Sequence, residues 1–100
     1  MNTVINEIDD KYVVTLEGEM DTAAAIEAEE VLKQLYDNDG KEVVFECKGL
    51  EYIASSGLRI LISILKATVA KGNRVVLRNV NEDIKNVFKL TGFLNIFEFE

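Results

Sequence analysis

Tyr52-Ile53-Ala54-Ser55-Ser56-Gly57-Leu58-Arg59 joins a compact apolar run, Val43 to Cys47, to an apolar segment with helical spacing, Ser56 to Lys71. Val43-Val44-Phe45 suits a strand buried on both faces, as parallel sheets require. The junction places two hydroxyls and a glycine where a helix presents free N–H groups and the positive end of its dipole. A phosphate on a serine there would be held by both.

Downstream, Gly72-Asn73 stops that helix and Val75-Val76-Leu77 reads as another buried strand. Asn81 caps a third helix, with Glu82 and Asp83 in its first turn and Lys85 and Lys89 later, as the dipole prefers. Gly92 closes it, and Ile96 to Phe99 forms a final strand. Upstream, Val4 to Ile8 is a short strand ending at the turn-prone Asp9-Asp10. Tyr12 to Glu17 alternates, with Tyr12, Val14 and Leu16 on one face, and Gly18 to Thr22 breaks the pattern. Ala23 to Tyr36 reads as a helix with Ala28, Val31, Leu32 and Leu35 at core spacing; Asp37-Asn38-Asp39-Gly40 ends it.

Strands alternating with helices imply parallel pairing through right-handed crossovers. The expected fold is α/β: a single domain over residues 1–100, with a mixed, mostly parallel sheet of four to five strands packed with helices.

Composition narrows the function. The 100 residues are 48% hydrophobic, enough for one core, and carry a net charge of −7. An acidic chain without a basic stripe is a poor ligand for nucleic acid or anionic membrane. There is no histidine, so a Ser-His-Asp triad is excluded. With no paired acid and base at a recognisable spacing, an enzyme is not expected. The lone Cys47, in an apolar strand pattern, reads as a small buried hydrophobe in a reducing compartment. No Cys or His cluster supports a metal site, and no cofactor motif is present. The expected protein is cytoplasmic, with no membrane segment, and monomeric when free.

Three sets of residues are candidates for function. Of Ser55 and Ser56, one can serve as the helix N-cap, which leaves the other unexplained. Gly57 lets a partner approach the backbone. Asp21 or Thr22 can cap the first helix, and Asp21 follows the second strand. In the second helix, Leu58, Leu61, Ile62, Leu65 and Val69 form a core stripe, and Arg59, Ser63 and Lys66 a polar one. Ile60 and Ile64 fall on a separate edge. They either pack under a neighbouring helix or loop, or form a contact patch beside Ser56; the expectation adopted is the contact patch.

Leu16-Glu17-Gly18-Glu19-Met20-Asp21 and Ile53-Ala54-Ser55-Ser56-Gly57-Leu58 resemble two motifs of the STAS domain, in register with its strand and helix order over essentially the whole chain. The resemblance implies a bacterial anti-sigma factor antagonist. In such proteins an anti-sigma factor serine/threonine-protein kinase phosphorylates the serine before the glycine, here Ser56. The unphosphorylated antagonist sequesters the kinase and frees a sigma factor, and a serine phosphatase resets the cycle. The partner surface implied comprises Asp21, Ser55, Ser56, Gly57, Leu58, Arg59, Ile60 and Ile64. Ala54 stands where many members carry Asp, and Arg59 where some carry a second glycine. Ala54 keeps open a second reading, a scaffold or sensor subunit that binds a protein or small ligand without being phosphorylated.

Overall fold

The computed structural model describes residues 1–37 and 39–100. Its elements run β1 Asn2–Ile8, β2 Lys11–Met20, α1 Thr22–Leu32, a 3-10 helix Lys33–Asp37, β3 Glu42–Ile53, α2 Ser55–Ala70, β4 Val75–Arg78, α3 Glu82–Leu90 and β5 Glu98–Phe99. The sheet order is β1-β2-β3-β4-β5, with β1 antiparallel to β2 and every other neighbour parallel. The expected mixed, mostly parallel sheet of four to five strands is therefore present, with five. The part of Asn38 in the expected Asp37–Gly40 turn lies outside the described residues.

Three crossovers run in one direction along the sheet. Each is right-handed by preference, so α1, α2 and α3 fall on one face. One core cluster accordingly joins Val14, Leu16 and Met20 of β2, Phe45 and Leu50 of β3, and Leu77 of β4 to apolar residues of all three helices. Val44 and Val76 are buried outside that cluster, on the other face. Arg74, just before β4, pairs with Glu42 of β3 and Glu98 of β5.

β2 and β3 run furthest past their expected ends, while β5 is shorter than the expected Ile96 to Phe99. In β3 the buried residues after Phe45 are Cys47, Leu50 and Ile53, a spacing of three rather than two. Register shifts against β2 occur between Thr15 and Glu17 and again between Gly18 and Glu19; each adds one residue to β3. Bulges of this kind preserve inward pointing while destroying alternation, which is why the strand seemed to stop at Cys47. Across from them β2 passes through Gly18 at φ +103 and continues to Met20. A Cβ at Gly18 would also meet the Cα of Met1 at 3.2 Å.

The helix faces also differ from expectation. In α1 the buried residues are Ala25, Ala28 and Leu32, while Val31 is exposed. The helix tightens into 3-10 geometry at Lys33, which keeps Leu35 buried. In α2 the buried set is Gly57, Leu58, Ile60, Leu61, Ile64, Leu65 and Thr68. Its centre is the i, i+3, i+4, i+7 series from Gly57, which the glycine and threonine disguise. Val69, expected in the core, is 57% exposed.

Ile60 and Ile64 are thus core residues, not a contact patch. The helix packs on the sheet with one side and on α1 and the 3-10 helix with another, so its buried arc is wide. Burial of each isoleucine contributes on the order of 1.5–3 kcal/mol.

Candidate functional site

Parallel strands β2 and β3 end side by side, with the Ala54 N–H donating to Met20 O at 2.8 Å. Their carboxyl ends therefore deliver the starts of α1 and α2 together, the position at which open α/β sheets place their sites. Asp21 caps α1: its exposed carboxylate accepts from the Ala24 N–H at 2.8 Å.

Neither serine caps α2. The N-cap is Ala54, in extended backbone and without a side-chain hydrogen bond. Ser55 and Ser56 are the first two helical residues, Ser55 exposed and Ser56 half-buried. The Ser56 Oγ is buried and has no hydrogen-bond partner among the described residues. Its position explains this. Ser63, Thr68 and Thr91 donate to the carbonyl four residues back, at 3.0, 2.7 and 2.8 Å. A serine in the first helical turn has no such carbonyl within its own helix. An orphaned buried hydroxyl costs roughly 1–3 kcal/mol and calls for a reason.

Gly57 plays a part other than the one expected. A Cβ there would lie 2.9 Å from Met20 Sδ, 3.0 Å from Met20 Cγ and 3.1 Å from Ile53 Cγ1. The glycine lets α2 settle on the ends of β2 and β3; it does not open the backbone to a partner. Leu58 is buried as well. Of the expected partner surface, Asp21, Ser55 and Arg59 are exposed and Ser56 half-buried. Gly57, Leu58, Ile60 and Ile64 are buried.

A groove of about 160 Å³ runs between α1 and α2, lined by Ala25, Ile26, Glu29, Tyr36, Ser56, Arg59, Ile60 and Ser63. The Tyr36 hydroxyl donates to Glu29 Oε2 at 2.7 Å. Burial, then this hydrogen bond and the Glu29 charge, push the phenol well above the usual tyrosine range. It stays a neutral donor. Ile26 at 66% exposure and Glu29 were not singled out from sequence; the only signal for Ile26 is an isoleucine beside the Ala25–Ala28–Leu32 stripe.

Cys47 is buried, and burial together with the Glu46 charge pushes its thiol up to about 12, so it stays protonated. Among the described residues, no group of acidic, histidine or cysteine side chains could hold a metal ion. No helix among them is long and apolar enough to cross a membrane.

The sequence profile of the STAS domain matches residues 2–100. An anti-sigma-B factor antagonist of Staphylococcus epidermidis is 31% identical over 98 residues, covering 96% of this chain and 91% of that protein. Among solved structures, the anti-sigma factor antagonist SpoIIAA in its unphosphorylated form superposes with a TM-score of 0.81. That match has 17% identity and covers 99% of this chain and 88% of the other. The Bacillus cell fate determinant SpoIIAA in the phosphorylated form gives 0.75 at 18% identity, over 99% and 91% of the two chains. At such identities the structural likeness establishes the fold.

Proposed function

The chain belongs to the STAS domain family, and from that premise we propose that it is an anti-sigma factor antagonist switched by phosphorylation of Ser56. The observation that carries the reading is the orphaned Ser56 hydroxyl at a helix N-terminus that no side chain caps. Ser63 and Thr68 of the same helix each spend their hydroxyl on the carbonyl four residues back; that of Ser56 is not spent.

The partner is an anti-sigma factor serine/threonine-protein kinase. It docks over the starts of α1 and α2, against Asp21, Ile26, Ser55 and Arg59. A change of χ1 turns the Ser56 hydroxyl into the groove. The hydroxyl gives up its proton to a base on the kinase, Oγ bonds to the γ-phosphorus of ATP, and the bond to the bridging oxygen breaks to release ADP. The phosphate adds about −1.5 to −2 charges. Within the free domain that charge faces the positive end of α2, a gain of ~0.3–1 kcal/mol. Beneath a docked partner it must be desolvated, a loss on the order of 2–5 kcal/mol. The modified chain therefore keeps its fold and releases the kinase. A serine phosphatase restores the hydroxyl.

A second reading, binding without phosphorylation, draws on the burial of Ser56 Oγ and on Ala54 in the acidic position of the motif. One experiment separates the two: incubation with the cognate kinase and ATP, followed by site mapping by mass spectrometry. Phosphate on Ser56 is expected. Phosphate confined to Ser55, or none with a kinase active on another substrate, would sink the first reading.

A further inference from the structure

Arg59 lines the same groove as Ser56, three residues further along α2. Residues so spaced are neighbours on a helix surface, about 5–6 Å apart at Cβ. Among the described residues the Arg59 guanidinium takes part in no ion pair, although Arg74 and Arg78 are both paired with glutamates. Beside Arg59 lie a buried hydroxyl without a partner, a helix start that no side chain caps, and groove volume sufficient for several water-sized groups.

We propose that Arg59 is the internal partner of a phosphoryl group on Ser56: its guanidinium closes over the phosphate in the groove and holds it against α2. The inference rests on Ser56 being the acceptor. It adds a device belonging to this chain, because Arg59 occupies a position where some relatives of similar motif carry glycine. Guanidinium geometry matches phosphate oxygens two at a time, and arginine keeps its charge at all working pH values. The titratable groups that line the groove from the other elements are Glu29 of α1 and Tyr36 of the 3-10 helix, and Asp21 adds a carboxylate at the start of α1. The carboxylates oppose the dianion, and Tyr36, already donating to Glu29, is occupied. Arg59 is thus the cation in the groove that offsets them. Paired in this way, the phosphate is drawn along α2, and the guanidinium is no longer available to a docked partner. One modification removes two features of the docking surface.

The test uses the full chain with phosphoserine installed at position 56 by genetic code expansion, so no kinase is involved. A ³¹P NMR titration reads the second ionisation of the phosphate, which lies near ~6 for free phosphoserine. In the wild-type chain the midpoint falls below that value. In Arg59→Gln it rises by up to about one unit, the low end of the effect of an arginine on an adjacent acid. Arg59→Lys falls between, and high salt shrinks the difference between wild type and Arg59→Gln. Arg59 is exposed, so amide spectra of the two unphosphorylated proteins should superpose away from the groove. The same midpoint in wild type and Arg59→Gln would overturn the proposal and leave the phosphate to the α2 amides. A kinase that never modifies Ser56 removes the functional reading without altering this titration, so the two failures are distinguishable.

Discussion

The starts of α1 and α3 contrast with the start of α2. Asp21 accepts from the Ala24 N–H at 2.8 Å, and Asn81 from the Ile84 N–H at 2.9 Å. Asn81 also donates to Leu50 O at 3.1 Å, tying α3 to the sheet. Each of these helices has one of its free N–H groups satisfied by a side chain, as stable helices usually do. The start of α2 has Ala54 at the same position, and the two serines that could have capped it sit one and two residues too late. Two helix ends are closed for stability and one is left open. The open one lies between the sheet ends, above the groove and beside an arginine without a partner.

That contrast can be broken at several points, from the largest effect to the smallest. Ile64→Lys places an ammonium in the core under α2, more than two turns beyond its open end. It should cost more than about 4 kcal/mol and leave the chain largely unfolded in a denaturant melt. A soluble, stable variant would return Ile64 to the surface. Gly57→Ala forces a methyl group against Met20 and Ile53 and should cost about 1–3 kcal/mol by overpacking. If the variant were as stable as the parent, α2 would not be seated on the strand ends as described.

The capped and open ends then separate by substitution. Asn81→Ala removes a cap and a tie to Leu50, and should lower stability by about 1–2 kcal/mol in urea. Ser56→Ala removes a hydroxyl that bonds nothing, so stability should be unchanged or raised by up to about 1 kcal/mol. Equal losses in these two variants would erase the difference between the helix ends.

The sequence carried the topology well, because Val43-Val44-Phe45 and Val75-Val76-Leu77 are too apolar for anything but buried parallel strands. The motif register pointed to Ser56, whose Oγ is buried without a hydrogen-bond partner among the described residues. The sequence failed where local pattern and tertiary demand diverge. The bulges of β3 hid the run from Lys48 to Ile53, since Cys47, Leu50 and Ile53 point inward at every third residue. The core face of α2 was displaced because Gly57 and Thr68, which are not strongly apolar, lie on it. With that face displaced, Ile60 and Ile64 looked superfluous to the core. Gly57 was assigned to a partner because nothing in the sequence says that Met20 and Ile53 converge beneath it. Ile26 was passed over because its exposure depends on how α1 lies against α2, which the helix's own pattern does not encode.

The central claim is that a charge on Ser56 acts on the interface and not on the fold. Calorimetric titration of the partner kinase with the unmodified chain and with the Ser56-phosphorylated chain tests it directly, with a thermal melt of each form alongside. Phosphorylation should weaken binding at least about tenfold, a change of some 1.4 kcal/mol or more, while the melting temperature of the free domain stays level or rises. Equal affinities, or a loss of affinity accompanied by a lower melting temperature, would contradict it.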